Sequence, residues 1–340
     1  MVLAKSFVTC CPWWMGRWRL VADGAVALLG LAMLISCRPA PESGSPATAS
    51  APSPATSDAD ASAITVFVSI LPQAQFVERI GGTHVKVDVL VGPGESPHSY
   101  EPSTSQMQAL GKAKLFFRIG VPFEDGLLPK VESTFKQLDV VDTRQGITLR
   151  QMESGEEEAE EHEHDRGHEH EHEHEHGGSD PHIWLSPRLV AVQAGTIADA
   201  LCRIDPAHAD EYRANLAAFR TELAELDARL AEVMAPLKGQ EILVFHPAFG
   251  YFTDAYGLRQ VPAEIEGKEP AAKDLAALIK RARERHVRVI FVQPQFSTRS
   301  AEALAQAIGG SVVALDPLAR DYVDSMMTLA RTVREALQQP

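Results

Sequence analysis

Four residues of this 340-residue chain place a metal-ligating side chain just behind, or in the loop behind, a β-rich run. His98 lies in GPGESPHSYEP after the run ending at Val91, and His182 lies in DPHIWLSP just ahead of a helical pattern. His246 follows the apolar run 241–245, and Asp316 ends the run 312–315. In open α/β sheets ligands collect outside the carboxyl ends of the strands, so such positions in two lobes can converge on one crevice. Three imidazoles and one carboxylate form a four-coordinate donor set of the kind zinc prefers. Singly, each has a plainer reading: His246-Pro247 as a loop or hydrogen-bonded core histidine, Asp316-Pro317 as a turn or helix start. His84, His208 and His286 lack this placement and read as surface or structural residues.

A second group of histidines has another character. Residues 153–176 hold His162, His164, His168, His170, His172, His174 and His176 among 12 acidic residues and one base, Arg166, a net charge of -11. The predicted mature chain, from residue 37, carries -16, so the rest of it contributes only -5. A segment of this composition, 153–178, reads as a solvated, disordered insert. Neutral imidazoles among glutamates make a weak, multi-site collector that raises local zinc or senses its excess. The plainer reading is an acidic loop without a selected role. His168-Glu169 with His172 also fits H-E-x-x-H, but any alternating Glu-His run does, and the metalloprotease motif needs a rigid helix. Gly167, Gly177 and Gly178 speak for a loop.

The elements that must position the four residues follow from hydrophobic patterning. From Ile64 the chain alternates short β-rich runs with helical patterns, which predicts parallel sheets covered by helices. Strands are expected over 64–70, 85–91, 114–120 and 138–143, then over 241–246, 287–293 and 311–316. The expected fold is α/β: two Rossmann-like lobes, 64–206 and 237–340, with the metal site in the cleft between them. Residues 207–236 carry Leu216, Phe219, Leu223, Leu226, Leu230 and Val233 at helical spacing. They predict one rigid connecting helix of roughly 40 Å. Such a strut disfavours large lobe rotations.

Composition bounds the rest. Hydrophobic residues at 45% and charged residues at 23% suit a soluble globular protein of about two domains. A net charge of -14 argues against nucleic acid, which needs clustered Lys and Arg. Residues 1–36 read as an export signal, with Arg17 and Arg19 ahead of the apolar run 25–35. That run is shorter than the roughly 20 residues a membrane helix needs. Leu34-Ile35-Ser36-Cys37 resembles the bacterial lipobox, which would make Cys37 the lipidated first residue of the mature protein; the alternative is an ordinary cleaved signal. Residues 37–63, rich in Pro, Ala, Ser and Thr, read as a flexible tether. Cys202, the other cysteine of the mature chain, lies in an apolar helical context and reads as core.

The segments PHSYEPS, DPHIWLSP, FHPAFGYFTDAYGL, QPQFS (293–297) and LDPLA (315–319) occur in this order. On them the chain resembles, over about residues 64–335, the zinc and manganese solute-binding proteins of bacterial ABC importers. The resemblance implies two α/β lobes joined by a long helix, with ligands at His98, His182, His246 and Asp316. It further implies a periplasmic protein that captures Zn2+ with high affinity and delivers it to an ABC-type permease and its ATPase subunit; the lipobox would hold it to a membrane through Cys37. Manganese-selective relatives tend to carry a carboxylate where this chain has His246. An imidazole there, with the insert just before DPHIWLSP, favours Zn2+ over Mn2+. The cysteine pair some relatives use as a disulfide is missing. With no nucleophile elbow or P-loop in the sequence, and no ligand position left for an activated water, binding is expected rather than a zinc-dependent hydrolase. An adhesin role, assigned to some relatives, has no feature here that bears on it.

Overall fold

The computed structural model describes residues 63–153, 178–264, 272–296 and 298–338. Cys37 and the seven histidines of the insert lie outside the described residues.

The strand β1 (Ile64–Ile70) is buried from Val66 onward, as expected of a strand covered on both faces. It is followed by α1 (Leu71–Gly81), β2 (Val85–Val91), α2 (Thr104–Leu110), β3 (Leu115–Arg118), α3 (Phe123–Thr134) and β4 (Asp139–Asp142). The four strands pair in parallel in the order β2-β1-β3-β4. After α4 (Pro187–Ile204) and α5 (Ala209–Met234) come β5 (Glu241–Val244), α6 (Gly250–Tyr256), β6 (Arg259–Pro262), α7 (Ala272–Glu284), β7 (Val289–Val292), α8 (Arg299–Ile308) and β8 (Ser311–Ala314). These strands repeat the arrangement, parallel in the order β6-β5-β7-β8. The chain is therefore α/β, with two parallel sheets joined through a long helix.

The strand β6 is additional to the three expected in the second sheet. Its four residues are Arg-Gln-Val-Pro, an edge strand with little apolar signal and a proline that sheets admit only at edges or bulges. Most other strands are shorter than the sequence pattern. Gly120, at φ +87°, turns the chain after β3, and His286, at φ +54°, sits in the turn that delays β7.

The helix α5 spans 26 residues, about 39 Å at 1.5 Å per residue. Tyr212, Phe219, Leu223, Leu226, Leu230 and Met234 form its buried face. Pro206 and Pro236 lie in 3₁₀ turns at its two ends, which keeps the regular helix inside 207–236. The last helix, α9 (Tyr322–Gln338), returns to the first lobe. There the Tyr322 ring stands edge-on to Phe76 of α1, with centroids 5.0 Å apart. One apolar cluster consequently includes Val66 and Leu115 of the first sheet, Leu226 of α5, and Ile242 and Phe291 of the second sheet. Cys202 is a half-buried free thiol packed against this cluster. Among the described residues no helix is long and apolar enough to cross a membrane.

Candidate metal centre

Three loops bring the histidines together. His98 stands in the β2–α2 loop, which Gly94 turns at φ +78°. The loop ends at Ser103, which caps the N-terminus of α2 by accepting from Gln106 N. His182 stands ahead of α4, where the Asp180 carboxylate accepts from the His182 backbone N–H at 2.9 Å. His246 lies two residues beyond β5, and its carbonyl accepts from Gln293 Nε2 at 3.0 Å. As β5 lies between β6 and β7, this is the switch point of the second sheet, where parallel sheets hold ligands.

Among the described residues, one group of His, Cys, Asp and Glu side chains has the spacing for a metal ion: His98, His182 and His246, with ligand atoms within 4.8 Å of one another. His98 Nε2 is 3.1 Å from His246 Nε2, which is 3.4 Å from His182 Nε2. A tetrahedral zinc with Zn–N bonds of about 2.0–2.1 Å sets its ligand nitrogens roughly 3.3–3.4 Å apart. The rings line a cavity of about 20 Å³ together with Trp184, Gln293 and Phe296. Phe296 stacks on His246, with centroids 5.0 Å apart.

Two buried carboxylates orient the rings. Asp180 Oδ1 lies 2.7 Å from His182 Nδ1, and Glu264 Oε1 lies 2.5 Å from His246 Nδ1. Asp180 is fully buried and Glu264 is 4% exposed. An ionised carboxylate only accepts, so each Nδ1 carries the proton and each Nε2 presents a lone pair. Two lone pairs 3.4 Å apart repel, and neither supplies a proton to the other. A cation between them resolves the conflict. The side-chain oxygens of Gln293 and Gln295, two further residues of the cavity wall, are buried with no hydrogen-bond partner, which adds to the acceptor character of the pocket.

His98 keeps exposed surface, while its ring meets His246 edge-on at 4.5 Å and Phe296 at 5.9 Å. Burial of the ring, then the charges His246 and His182 would carry, hold its imidazole well below the usual histidine range, at about 3. Burial also lowers His182, against the pull of Asp180. Both imidazoles are therefore neutral at neutral pH and able to offer a lone pair to a metal.

Asp316 is not drawn into the group. It is exposed, and its Oδ1 accepts from Gln295 Nε2 at 2.9 Å and from the Leu318 amide at 3.0 Å. Its loop is nonetheless tied to the centre, because Trp184 Nε1 donates to the Pro317 carbonyl at 2.8 Å. His84 and His208 stack on each other at 3.8 Å, paired with Glu211 and Asp205, and His286 is exposed. The orienting carboxylates were not among the residues expected from sequence. Asp180 is signalled by its place two residues before His182, whereas Glu264 has no local signal.

Residues 66–336 match the model of the family described as zinc-uptake complex component A, periplasmic. The chain belongs to this family of zinc-binding, periplasmic solute-binding components of zinc-uptake systems. Its Bacillus subtilis relative, the high-affinity zinc uptake system protein ZnuA, is 32% identical over 257 residues, covering 74% of this chain and 78% of the relative. A crystal structure of ZnuA aligns at 41% identity with a TM-score of 0.73, covering 81% of this chain and 99% of that one. An internal-deletion mutant of ZnuA, crystallised with zinc bound, aligns at 40% identity and a TM-score of 0.72, covering 82% of this chain and all of the mutant.

Proposed function

We propose that His98, His182 and His246 bind one Zn2+ through Nε2 and that Asp316 completes the shell by giving up Gln295 and the Leu318 amide. The observation that carries this reading is the 3.4 Å approach of His182 Nε2 to His246 Nε2, a zinc-like spacing, with the Nδ1 of each ring set on a buried carboxylate. Three imidazole donors favour Zn2+ over Mn2+, which prefers oxygen ligands. A shell filled by protein groups serves capture and hand-over rather than hydrolysis.

In this reading residues 1–36 direct export, Cys37 carries the lipid, and 37–63 let the folded domain stand off its membrane and present its cargo to a permease driven by an ATPase subunit. The lobes take in 64–206 and 237–340, joined by 207–236. The histidines of the 153–178 insert act as a weak collector.

Zinc and manganese titrations of protein purified without added metal test the proposal. His246→Ala is expected to lose the single tight equivalent of zinc. Deletion of residues 154–177 is expected to keep it and lose only weaker equivalents. A tight equivalent unchanged in His246→Ala would remove the ligand assignment.

A further inference from the structure

The ends of the insert meet in a short antiparallel neck. Met152 N donates to Gly178 O at 3.1 Å and Asp180 N to Arg150 O at 2.8 Å, around the bridge between Gln151 and Ser179. Arg150 stands at the base of this neck, and its guanidinium has three carboxylate partners. Nη1 lies 3.4 Å from Asp180 Oδ2, Nη2 lies 2.5 Å from Glu153 Oε1, and Nε lies 3.2 Å from Asp254 Oδ2. The Arg150 amide donates to Tyr251 Oη at 3.0 Å, and that hydroxyl donates to the Asp180 carbonyl at 3.0 Å. Tyr251 and Asp254 belong to α6, a few residues beyond His246.

We propose that Arg150 is a positioning residue for zinc: it fixes Asp180, and through Asp180 the His182 ring, against the segment that carries His246. The inference rests on the ligand reading above. Asp180 uses Oδ1 for both His182 contacts and Oδ2 for Arg150. A fully buried carboxylate needs a compensating charge and filled lone pairs to keep one orientation. Arg150 supplies both and, through Asp254 and Tyr251, makes the same guanidinium the tie to α6.

Gly250 reserves the space. An ideal Cβ there would lie 1.1 Å from Arg150 Nη1, so any other residue displaces the guanidinium. Because the displaced atoms end a flexible side chain, Gly250→Ala moves Arg150 without removing its charge.

The test uses the whole mature chain, with zinc affinity read by competition with a chromophoric chelator and ligand geometry by the visible absorption of the Co2+-loaded protein. Arg150→Gln is expected to weaken zinc by about 10–100-fold, as loss of groups behind metal ligands does, and to change the cobalt bands. Gly250→Ala should act in the same direction, and Arg150→Lys should restore part of the loss. In a His182→Ala background Arg150→Gln should add nothing, since its effect passes through that ligand. The proposal is overturned if Arg150→Gln stays within about twofold of the parent with unchanged cobalt bands, or if it weakens zinc equally when His182 is absent. Should Arg150→Gln not fold, Asp254→Asn decides, because Asp254 is exposed: a several-fold loss supports the tie and an unchanged spectrum and affinity overturn it. Tight zinc retained by His182→Ala alone would instead remove the ligand reading, and this inference with it.

Discussion

His246 Nδ1 and Glu264 Oε1 are 2.5 Å apart, and sheet register sets them level. Val244 pairs with Pro262, so each residue stands two positions beyond the end of one of two adjacent parallel strands. Glu264→Ala removes the acceptor that fixes the His246 tautomer. Zinc affinity is expected to fall about 10–100-fold with one equivalent still bound, as measured by competition titration. An unchanged affinity would mean that Phe296 and Gln293 suffice to aim the ring.

The lowered imidazoles of His98 and His182 give the metal-free protein a pH dependence of known sign. Unfolded, both titrate near 6.5 (~6.5 for a free side chain); folded, they protonate only at lower pH. As pH falls the unfolded chain gains protons first. Their contribution is therefore whole above about pH 6.5 and declines as pH falls toward the folded values. With chelator present, the urea midpoint should be lower at about pH 5 than at about pH 7.5, and the difference should shrink in His98→Gln. Equal midpoints in the parent would contradict this.

Trp184 is buried and donates to Pro317 O across the two halves of the site. Trp184→Phe keeps most of the packing but leaves a buried carbonyl without its donor. The expected loss is about 1–3 kcal/mol of unfolding free energy, measured by denaturant titration, with a weaker hold on zinc because the Asp316 loop is released.

Zinc should stabilise the native chain by mass action. At free zinc about 1,000 times its Kd the gain is about 4 kcal/mol, which for a domain of this size raises Tm by roughly 10 °C. Calorimetry with and without zinc checks the value. A variant lacking His98, His182 or His246 should show a much smaller shift at the same zinc concentration.

The sequence made part of this site legible. Strand ends are where parallel sheets collect ligands, and that rule marks His98 and His246 as candidates, while His182 is marked by its place just ahead of a helix; the structure brings the three rings within 4.8 Å of one another. The apolar spacing from Tyr212 to Met234 likewise marked α5. Glu264 escaped because β6 escaped: with a polar, proline-ended edge strand unrecognised, nothing placed position 264 beside 246. For Asp316 the rule gives the position and not the arrangement. It stands at a strand end, yet the Leu318 amide and Gln295 hold its carboxylate apart from the three rings.

The return of α9 gives the two lobes a second crossing beside α5. Opening them like jaws would draw Tyr322 away from Phe76 and divide a cluster that runs through both sheets. Such bracing resists a jaw-like motion. In the reading proposed above, cargo would then be signalled by the charge it adds near His98 and Asp316 and by the order of their loops, more than by a closed outline.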